Sequence, residues 1–302
     1  GIQVFMFLGL AVAICIIQDA VGSGLAAAFG LNPLLGLCMG SMPLVGGHGT
    51  SGSFGPLLET DYAVVGATTV ALAAATYGLV SGSMMGGPIA RARVEKLHLK
   101  STAAEEGNET AEVMPAVDGQ KFTTSAMFLA VAIGLGTLIF TFFKDVCHLT
   151  FPTYIGAMLA AAAIRNIWDV QNKDLPMVEI DALGGLSLNL FLSMAMMSLK
   201  LWQLAALALP MIVILLVQTV VMFLYANFVV FNVMGRDYEA AAMTTAFCGF
   251  GMGATPNAMA NMRALVERYG AAPRAFFIVP LVGSLFVDFF NSMVLTTFMN
   301  FL

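Results

Sequence analysis

The chain carries little charge and, over its first 90 residues, no positive charge at all. Only 10% of its 302 residues are charged while 59% are hydrophobic, and the mean hydropathy is +0.87. The first basic residue is Arg91, and no basic patch with interleaved aromatic residues follows it, which excludes nucleic acid as an expected partner. A water-soluble domain of this composition could not cover its surface with polar groups. We therefore predict an all-α polytopic membrane protein surrounded by a lipid bilayer.

Cysteine patterns with a known chemistry are also missing. The four cysteines lie far apart, in or beside apolar runs, without a CxxC or a Cys/His metal spacing: Cys15, Cys38, Cys147 and Cys248. We interpret them as small buried hydrophobic residues, and we expect no cofactor. The chain also lacks an initiator Met and a signal-peptide pattern.

Apolar stretches of about 20 residues, the length that crosses a bilayer, occur along the whole chain. In 1–90 we predict a span at 2–29, a broken hairpin at 31–58 and a span at 62–90. A polar, charged linker is predicted at 91–121. The remainder, 122–302, is predicted to hold further spans and a second broken hairpin, in the order 122–144, 150–168, 182–200, 203–233, hairpin 238–268 and 272–301.

Glycine clusters interrupt two of these stretches, at Gly46–Thr50 (GGHGT) and at Gly249–Pro256 (GFGMGATP). The apolar run on either side of each cluster is too short to cross a bilayer. Unpaired backbone groups cost several kcal/mol in lipid, so an unwound backbone at that depth must be buried in protein or line a wet cavity. We predict two re-entrant hairpins that form a transport site near the middle of the membrane.

The distribution of positive charge orients this layout. If the linker 91–121 is cytoplasmic, eleven of the thirteen basic residues lie inside, and only Lys144 and Lys200 lie outside. The first hairpin is then predicted to enter from the outside and the second from the cytoplasm.

The two halves also align locally at an offset of 205 residues. Small or turn-forming residues match in pairs: Gly30 with Gly235, Gly46 with Gly251, Thr50 with Thr255, and Gly78 with Gly283. Together with the shared order of span, hairpin and span, these matches predict inverted-topology repeats. In the second half, three further spans precede the unit of span, hairpin and span, whereas in the first half none does. We therefore expect three helices to precede residue 1 in the intact protein.

The second arms of the hairpins begin like anion-binding helices. Thr255 suits an N-cap and Pro256 the first helical position, and Thr50–Ser53 offers a similar start. Free N–H groups and the positive dipole end there suit a carboxylate. The residues predicted to bind substrate are Thr50, Ser51, Gly52, Ser53, Thr255, Pro256, Asn257, Asn261 and Asn291.

The first arms end in carbonyl groups, which suit a small hard cation such as Na⁺. Asp288 lies near the middle of the last span, where a buried charge costs at least about 3 kcal/mol and needs a partner. Asn291 is one helical turn further on, so both side chains are expected on one face. The residues predicted to bind the ion are Val45, Gly46, Gly249, Phe250, Asp288 and Asn291.

A purely structural role also fits several of these residues. The glycines could serve only close helix packing, and Asp288 could be a satisfied structural carboxylate. Asp19 lies in the first span, and its role is left open. His48 could relay protons or could be a neutral residue hydrogen-bonded to nearby carbonyl groups.

Two enzyme hypotheses are weak. Gly49–Gly52 matches the GxSG of rhomboid-type intramembrane serine proteases, but His48 is too close along the backbone to act as the general base. Asp19 and Asp288 lack the GxGD context of an intramembrane aspartyl protease. We predict that the protein is not an enzyme.

Several longer motifs are specific. They are GGHGT at 46–50, GGP at 86–88, LSLNLFLSMA at 186–195, LKLWQLAALALPM at 199–211 and CGFGMGATPNAMANM at 248–262. On these motifs the chain resembles the bacterial sodium/glutamate symporters, which are related in fold to the sodium/citrate carriers. The resemblance runs nearly end to end. Asp19 is a departure, because the family pattern leads us to expect a neutral polar residue there.

The resemblance implies two inverted five-helix repeats, each with a re-entrant hairpin in a moving transport domain, and a scaffold domain that forms a homodimer. It implies Na⁺-coupled uptake of L-glutamate across the bacterial inner membrane by alternating access, with an elevator-like movement of the hairpin-bearing domain. The same architecture carrying another dicarboxylate, or coupled to H⁺, is the alternative.

Overall fold

The computed structural model describes residues 1–101, 117–147, 153–198 and 201–302, and every regular element in this part of the chain is a helix. The first helices are α1 (Ile2–Ala28), α2 (Pro33–Leu37), α3 (Ser41–Leu44), α4 (Gly47–Asp61) and α5 (Ala67–Lys96). Then follow α6 (Gly119–Cys147), α7 (Thr153–Val170), α8 (Met177–Ser198) and α9 (Leu201–Leu224). The last are α10 (Phe231–Val233), α11 (Tyr238–Tyr269), α12 (Pro273–Val282) and α13 (Asp288–Phe301), with π-helical turns at Tyr225–Val230 and Gly283–Val287.

The all-α membrane class predicted from composition is confirmed. Within the described residues, four stretches of helix are long and apolar enough to cross a bilayer: Ile2–Ala28, Ala67–Lys96, Gly119–Phe143 and Leu207–Val233. Much of the predicted linker 91–121 and the ends of the spans predicted at 150–168 and 182–200 lie outside the described residues. Cys15, Cys38 and Cys248 are free and buried, as expected.

The helices form two compact units, and the smaller one is Glu109–Leu199. In it α6 and α7 cross at Gly136 and Gly156, where either Cβ would overlap the backbone of the other helix. Asp118 caps α6, since its carboxylate accepts from the backbone N–H groups of Lys121 at 3.2 Å and Gln120 at 2.8 Å. These bonds lower the pKa of the Asp118 carboxyl.

The larger unit is Gly1–Asn108 with Lys200–Leu302, and it contains two turns at equivalent places. The turns follow α1 and α10 at Gly30 and Gly235, whose φ angles of +72° and +118° favour glycine. Both are closed by a backbone hydrogen bond to the carbonyl five residues earlier, from Leu31 to Ala26 at 2.9 Å and from Arg236 to Phe231 at 3.2 Å. Each pair of partners is related by the offset of 205 residues found in the sequence.

The next residue is a helix cap in both places. The Asn32 side chain accepts from the backbone N–H of Leu34 at 2.9 Å, and the Asp237 side chain accepts from that of Ala240 at 2.7 Å. Asn32 and Asp237 are again 205 positions apart. The matched turns and caps therefore introduce two broken segments, the first made of α2 to α4 and the second of α11.

The second broken segment folds back on itself. Its backbone leaves the helical region at Gly253 (φ −161°, ψ 22°) and at Ala254 (φ 64°, ψ 176°). Across this break the amide Nδ2 of Asn261 donates to the carbonyl of Thr245 at 3.2 Å. Residues 16 positions apart would be separated by about 24 Å along an unbroken helix, so the two arms run antiparallel.

The first broken segment is interrupted twice. Gly40 separates α2 from α3 with φ −105° and ψ −141°, and α4 starts at Gly47, which has φ +65°. The positions equivalent to the break before α3 are regular helix in α11. The two segments thus share their entry geometry but differ in their first arms.

A stripe of glycines on helix α5 allows its backbone to pack closely against α11. Gly78, Gly82 and Gly86 are spaced at one-turn intervals, and a Cβ on the first would overlap the carbonyl of Met252. A Cβ on Gly82 would lie 2.9 Å from the Cβ of Met252, and one on Gly86 would overlap the Asn261 amide. This stripe brings the backbone of α5 directly against both arms of α11.

Candidate functional site

The breaks in the two segments meet. A Cβ placed on Gly47 would lie 3.3 Å from the Cβ of Ala254. Gly47 is the first residue of α4, and Ala254 immediately precedes the second arm of α11. Two helix starts therefore come together, each with first-turn N–H groups that have no partner inside their helix. Ala254 adopts a φ of 64° that residues with a side chain rarely take, a strain typical of functional sites.

The second arm of α11 is fixed to α5 by two asparagines. The Oδ1 of Asn257 accepts from the Ser83 hydroxyl at 2.6 Å, and its Nδ2 donates to the carbonyl of Leu79 at 3.2 Å. The Nδ2 of Asn261 also donates to the carbonyl of Gly82 at 3.2 Å. Both side chains are buried, and the amide nitrogen of each donates to protein carbonyl groups. In this arrangement they position the arm.

Two of the polar residues predicted on α4 are used locally. The Ser51 hydroxyl donates to the carbonyl of Gly47 at 2.8 Å, and the Ser53 hydroxyl donates to that of Gly49 at 3.1 Å. His48 lies beside the same turn, and its Nε2 is 3.1 Å from the hydroxyl oxygen of Thr76. The partner of His48 is thus a hydroxyl group, where the sequence had suggested carbonyl groups.

The hydroxyl groups of the two matched threonines, Thr50 and Thr255, are not used locally as those of Ser51 and Ser53 are. In the part of the chain that the structure describes, neither the Thr50 nor the Thr255 hydroxyl forms a hydrogen bond. Thr255 packs over Gly283, since a Cβ there would lie 2.6 Å from its hydroxyl oxygen. Gly52 is half-buried and Pro256 is exposed.

The four backbone residues predicted to bind the cation lie at different distances from the breaks. Val45 and Gly46 lie directly before the start of α4, and the Gly46 carbonyl accepts from the N–H of Thr50 at 3.5 Å. Gly249 and Phe250 keep helical geometry and lie in the last turn before the break at Gly253, a few residues earlier than the end of the first arm, and their role as ion ligands stays a prediction. A Cβ on Gly249 would lie 2.7 Å from the backbone of Asn257, so this glycine serves the contact between the arms.

Asp288 and Asn291 lie about one helical turn apart on α13 but differ in burial. Asp288 is the first residue of α13 and is exposed. Asn291 is buried, with its Oδ1 accepting from the Ser41 hydroxyl at 2.6 Å. The Nδ2 of Asn291 donates to the carbonyl of Ser41, which also accepts from the backbone N–H of Gly46 at 3.1 Å, so Asn291 lies beside the start of α4.

Sequence reasoning missed a buried glutamine pair. The Nε2 of Gln18 donates to the carbonyl of Gly251 at 2.8 Å, and the Nε2 of Gln218 donates to the carbonyl of Gln18 at 2.7 Å. These bonds connect α1, α9 and the first arm of α11 just before its break. The available signal was a glutamine inside each apolar span, because polar side chains at that depth require partners.

Two surface grooves in the described part of the chain contain none of the predicted site residues. A groove of about 680 Å³ runs along α5 and α9, and one of about 380 Å³ lies between α1 and α13. Their walls are mostly apolar, for example Val80, Met84 and Phe223 in the larger groove. Such surfaces suit helices or lipid better than a charged solute.

Comparison with known proteins identifies close relatives. A family model described as "Sodium/glutamate symporter" matches residues 1–271. A sodium/glutamate symporter of Escherichia coli (strain K12) is 40% identical over 306 aligned positions, which cover 99% of this chain and 76% of the relative. Another, from Haemophilus influenzae, is 34% identical over 304 positions, covering 98% of this chain and 75% of the relative. No solved structure matches the chain.

Proposed function

Because this chain belongs to the sodium/glutamate symporter family, we propose that it carries L-glutamate together with Na⁺ across the bacterial inner membrane. The family consists of transporters, so the prediction that the protein is not an enzyme is confirmed. The observation that carries the proposal is the meeting of the two backbone breaks at Gly47 and Ala254.

The meeting point suits a dicarboxylate. The positive ends of two helical arms converge there, and each end favours one negative group. Glutamate carries two carboxylates, so each arm receives one of them. Thr50 and Thr255, whose hydroxyls are free in the described chain, lie one turn or less into these arms and donate to the bound substrate.

The coupling Na⁺ lies on the carbonyl side of the same breaks. In the first segment the carbonyl groups of Val45 and Gly46 are the candidates, and in the second the first arm extends to Gly253. Asp288 is an accessible carboxylate in the last span and compensates positive charge from Na⁺ or from the substrate ammonium group.

The transport cycle follows from the repeated geometry. The paired turns and caps support two repeats, which we propose are inverted in the membrane, with re-entrant hairpins that enter from opposite faces. The hairpin-bearing domain moves against a dimeric scaffold like an elevator, and the site opens to each side in turn.

Uptake of labelled glutamate into proteoliposomes tests the coupling and the cargo. We expect uptake driven by an inward Na⁺ gradient, and equal uptake after replacing Na⁺ with choline at fixed pH would refute it. Competition by other dicarboxylates and an imposed pH gradient test the two alternatives. Thr50→Val combined with Thr255→Val should raise the KM for glutamate at least tenfold, whereas Thr60→Val, at an exposed position on α4, should leave it unchanged.

Accessibility to a membrane-impermeant thiol reagent tests the inverted arrangement. In a variant without native cysteines, Glu59→Cys should react only from outside and Arg268→Cys only from inside. These residues lie near the ends of the second arms of the two segments. Reaction of both from the same side would disprove the inverted repeat while leaving Na⁺ coupling untouched.

A further inference from the structure

Three buried side chains join α1, α3 and α13 in a polar cluster, Asp19, Ser41 and Asn291. Asp19 and Ser41 are 0% exposed and Asn291 is 1% exposed. The Ser41 N–H donates to the Oδ1 of Asp19 at 2.7 Å, and the Ser41 hydroxyl lies 2.8 Å from the Oδ2 of Asp19. The same hydroxyl lies 2.6 Å from the Oδ1 of Asn291, whose Nδ2 donates to the carbonyl of Ser41 at 3.3 Å.

Counting hydrogens shows what the cluster requires. If Asp19 is ionised, the single hydrogen of the Ser41 hydroxyl faces two acceptors and can serve only one of them. If Asp19 is protonated, its Oδ2–H donates to the Ser41 oxygen, and the Ser41 hydroxyl donates to Asn291. Every contact then has one donor and one acceptor. The alternative is to exchange the oxygen and nitrogen of the Asn291 amide, so that its nitrogen donates to the Ser41 hydroxyl. This would place the amide oxygen against the Ser41 carbonyl oxygen, two acceptors without a donor, and Asp19 would still be charged.

The charge around Asp19 leads to the same conclusion. Asp19 lies nine residues before the end of α1, about 13 Å along the helix from its last residue. None of the ion pairs within residues 1–101, 117–147, 153–198 and 201–302 involves it. The titratable groups that interact electrostatically with Asp19, or with its neighbours Cys15 and Cys38, are all acidic or weakly acidic: Cys15, Cys38, Glu59, Tyr225 and Asp288. A buried carboxylate without a positive partner is costly, and a proton removes that cost.

We propose that Asp19 is a proton-binding site, occupied both with and without Na⁺ while α3 is packed against α1 and α13. The proton completes the bridge from Asp19 through Ser41 to Asn291, and so fastens the first broken segment to two other helices. If the bridge opens during transport, Asp19 gains water and its proton can leave. This adds a proton-binding group to a protein whose proposed coupling ion is Na⁺.

Asn is the appropriate replacement, since its amide reproduces the protonated acid. Its oxygen can accept from the Ser41 N–H and its nitrogen can donate to the Ser41 oxygen. Asp19→Asn should therefore fold and retain Na⁺-driven uptake within twofold of wild type, with an unchanged half-saturating Na⁺ concentration.

Infrared spectroscopy of the purified full chain at neutral pH measures the proton directly. The wild-type spectrum should contain the carbonyl stretch of a protonated carboxylic acid, which shifts in D₂O and disappears in Asp19→Asn. Asp145→Asn, at an exposed acid on α6, should leave it unchanged. If Asp19→Asn does not fold, Ser41→Ala should still shift the band, because the acid loses its acceptor.

The contrary results are equally definite. If neither variant changes the band, or if saturating Na⁺ removes it, the proton site is disproved. A tenfold rise in the half-saturating Na⁺ concentration of Asp19→Asn would instead identify an ionised carboxylate that binds Na⁺. Because the band is measured without substrate, it tests the proton site even if wild-type uptake proves independent of Na⁺.

Discussion

The two broken segments begin alike and are held in place differently. Both follow a glycine turn closed by the same hydrogen bond, and both start at a side-chain cap. The second segment then forms two antiparallel arms that hydrogen-bond to each other through Asn261 and Thr245. The first has its initial arm split at Gly40, and Ser41, the residue after the split, is fixed from outside by Asp19 and Asn291.

The difference shows that equivalent backbone turns do not require equivalent side-chain contacts. In the second segment the arms approach closely because glycine stands at the contact, while in the first a carboxyl group from α1 replaces the missing helical continuity. A broken helical segment can therefore be held together by its own contacts or by contacts with neighbouring helices. We therefore expect mutations at these two kinds of contact to reduce the stability of the protein by different amounts.

The largest effect is expected at the contact between the arms of α11. Gly249→Ala places a Cβ 2.7 Å from the backbone of Asn257, so the arms must separate. We expect loss of uptake and a clear fall in thermal stability. Gly87→Ala is the control, because nothing lies within 4 Å of its Cβ and alanine favours a helix. Wild-type stability of Gly249→Ala would show that the arms are not tightly paired.

A smaller effect is expected from Asn261→Ala. This change removes the bonds to Thr245 and Gly82 and should cost about 1 to 3 kcal/mol of stability. Thermal unfolding of the purified protein measures it, with Asn166→Ala on α7 as a control, since Asn166 is exposed. Equal unfolding temperatures for the two variants would contradict the bridging role of Asn261.

The smallest effects are expected at the two caps. Asn32→Ala and Asp237→Ala should each cost about 1 kcal/mol, and the second should cost more, because Asp237 also pairs with Arg274 at 2.6 Å. Asp237→Asn keeps the cap and removes only the charge pairing, which for partly exposed groups contributes about 0 to 1 kcal/mol. If Asn and Ala at 237 destabilise equally, the cap contributes nothing.

Prediction from the sequence succeeded where one local signal decides the outcome. The offset of 205 residues paired Gly30 with Gly235, and both lie at turns with a positive φ. The place of the break in α11 was predicted to within a few residues, but Gly249 was assigned to the break itself. A glycine sequence does not tell whether the missing side chain serves a bend or a close contact with a distant backbone.

The membrane environment and helical class were determined by the sequence alone, because each span must satisfy its backbone internally and bury apolar surface whatever lies next to it. The glycine and proline positions also limited where the chain can break. Only the tertiary structure decided which polar groups meet. Gln18 donates to Gly251, and Ser41 hydrogen-bonds to both Asp19 and Asn291, because helix packing brings together residues as many as 250 positions apart. Their chemistry depends on that proximity, which no local pattern encodes.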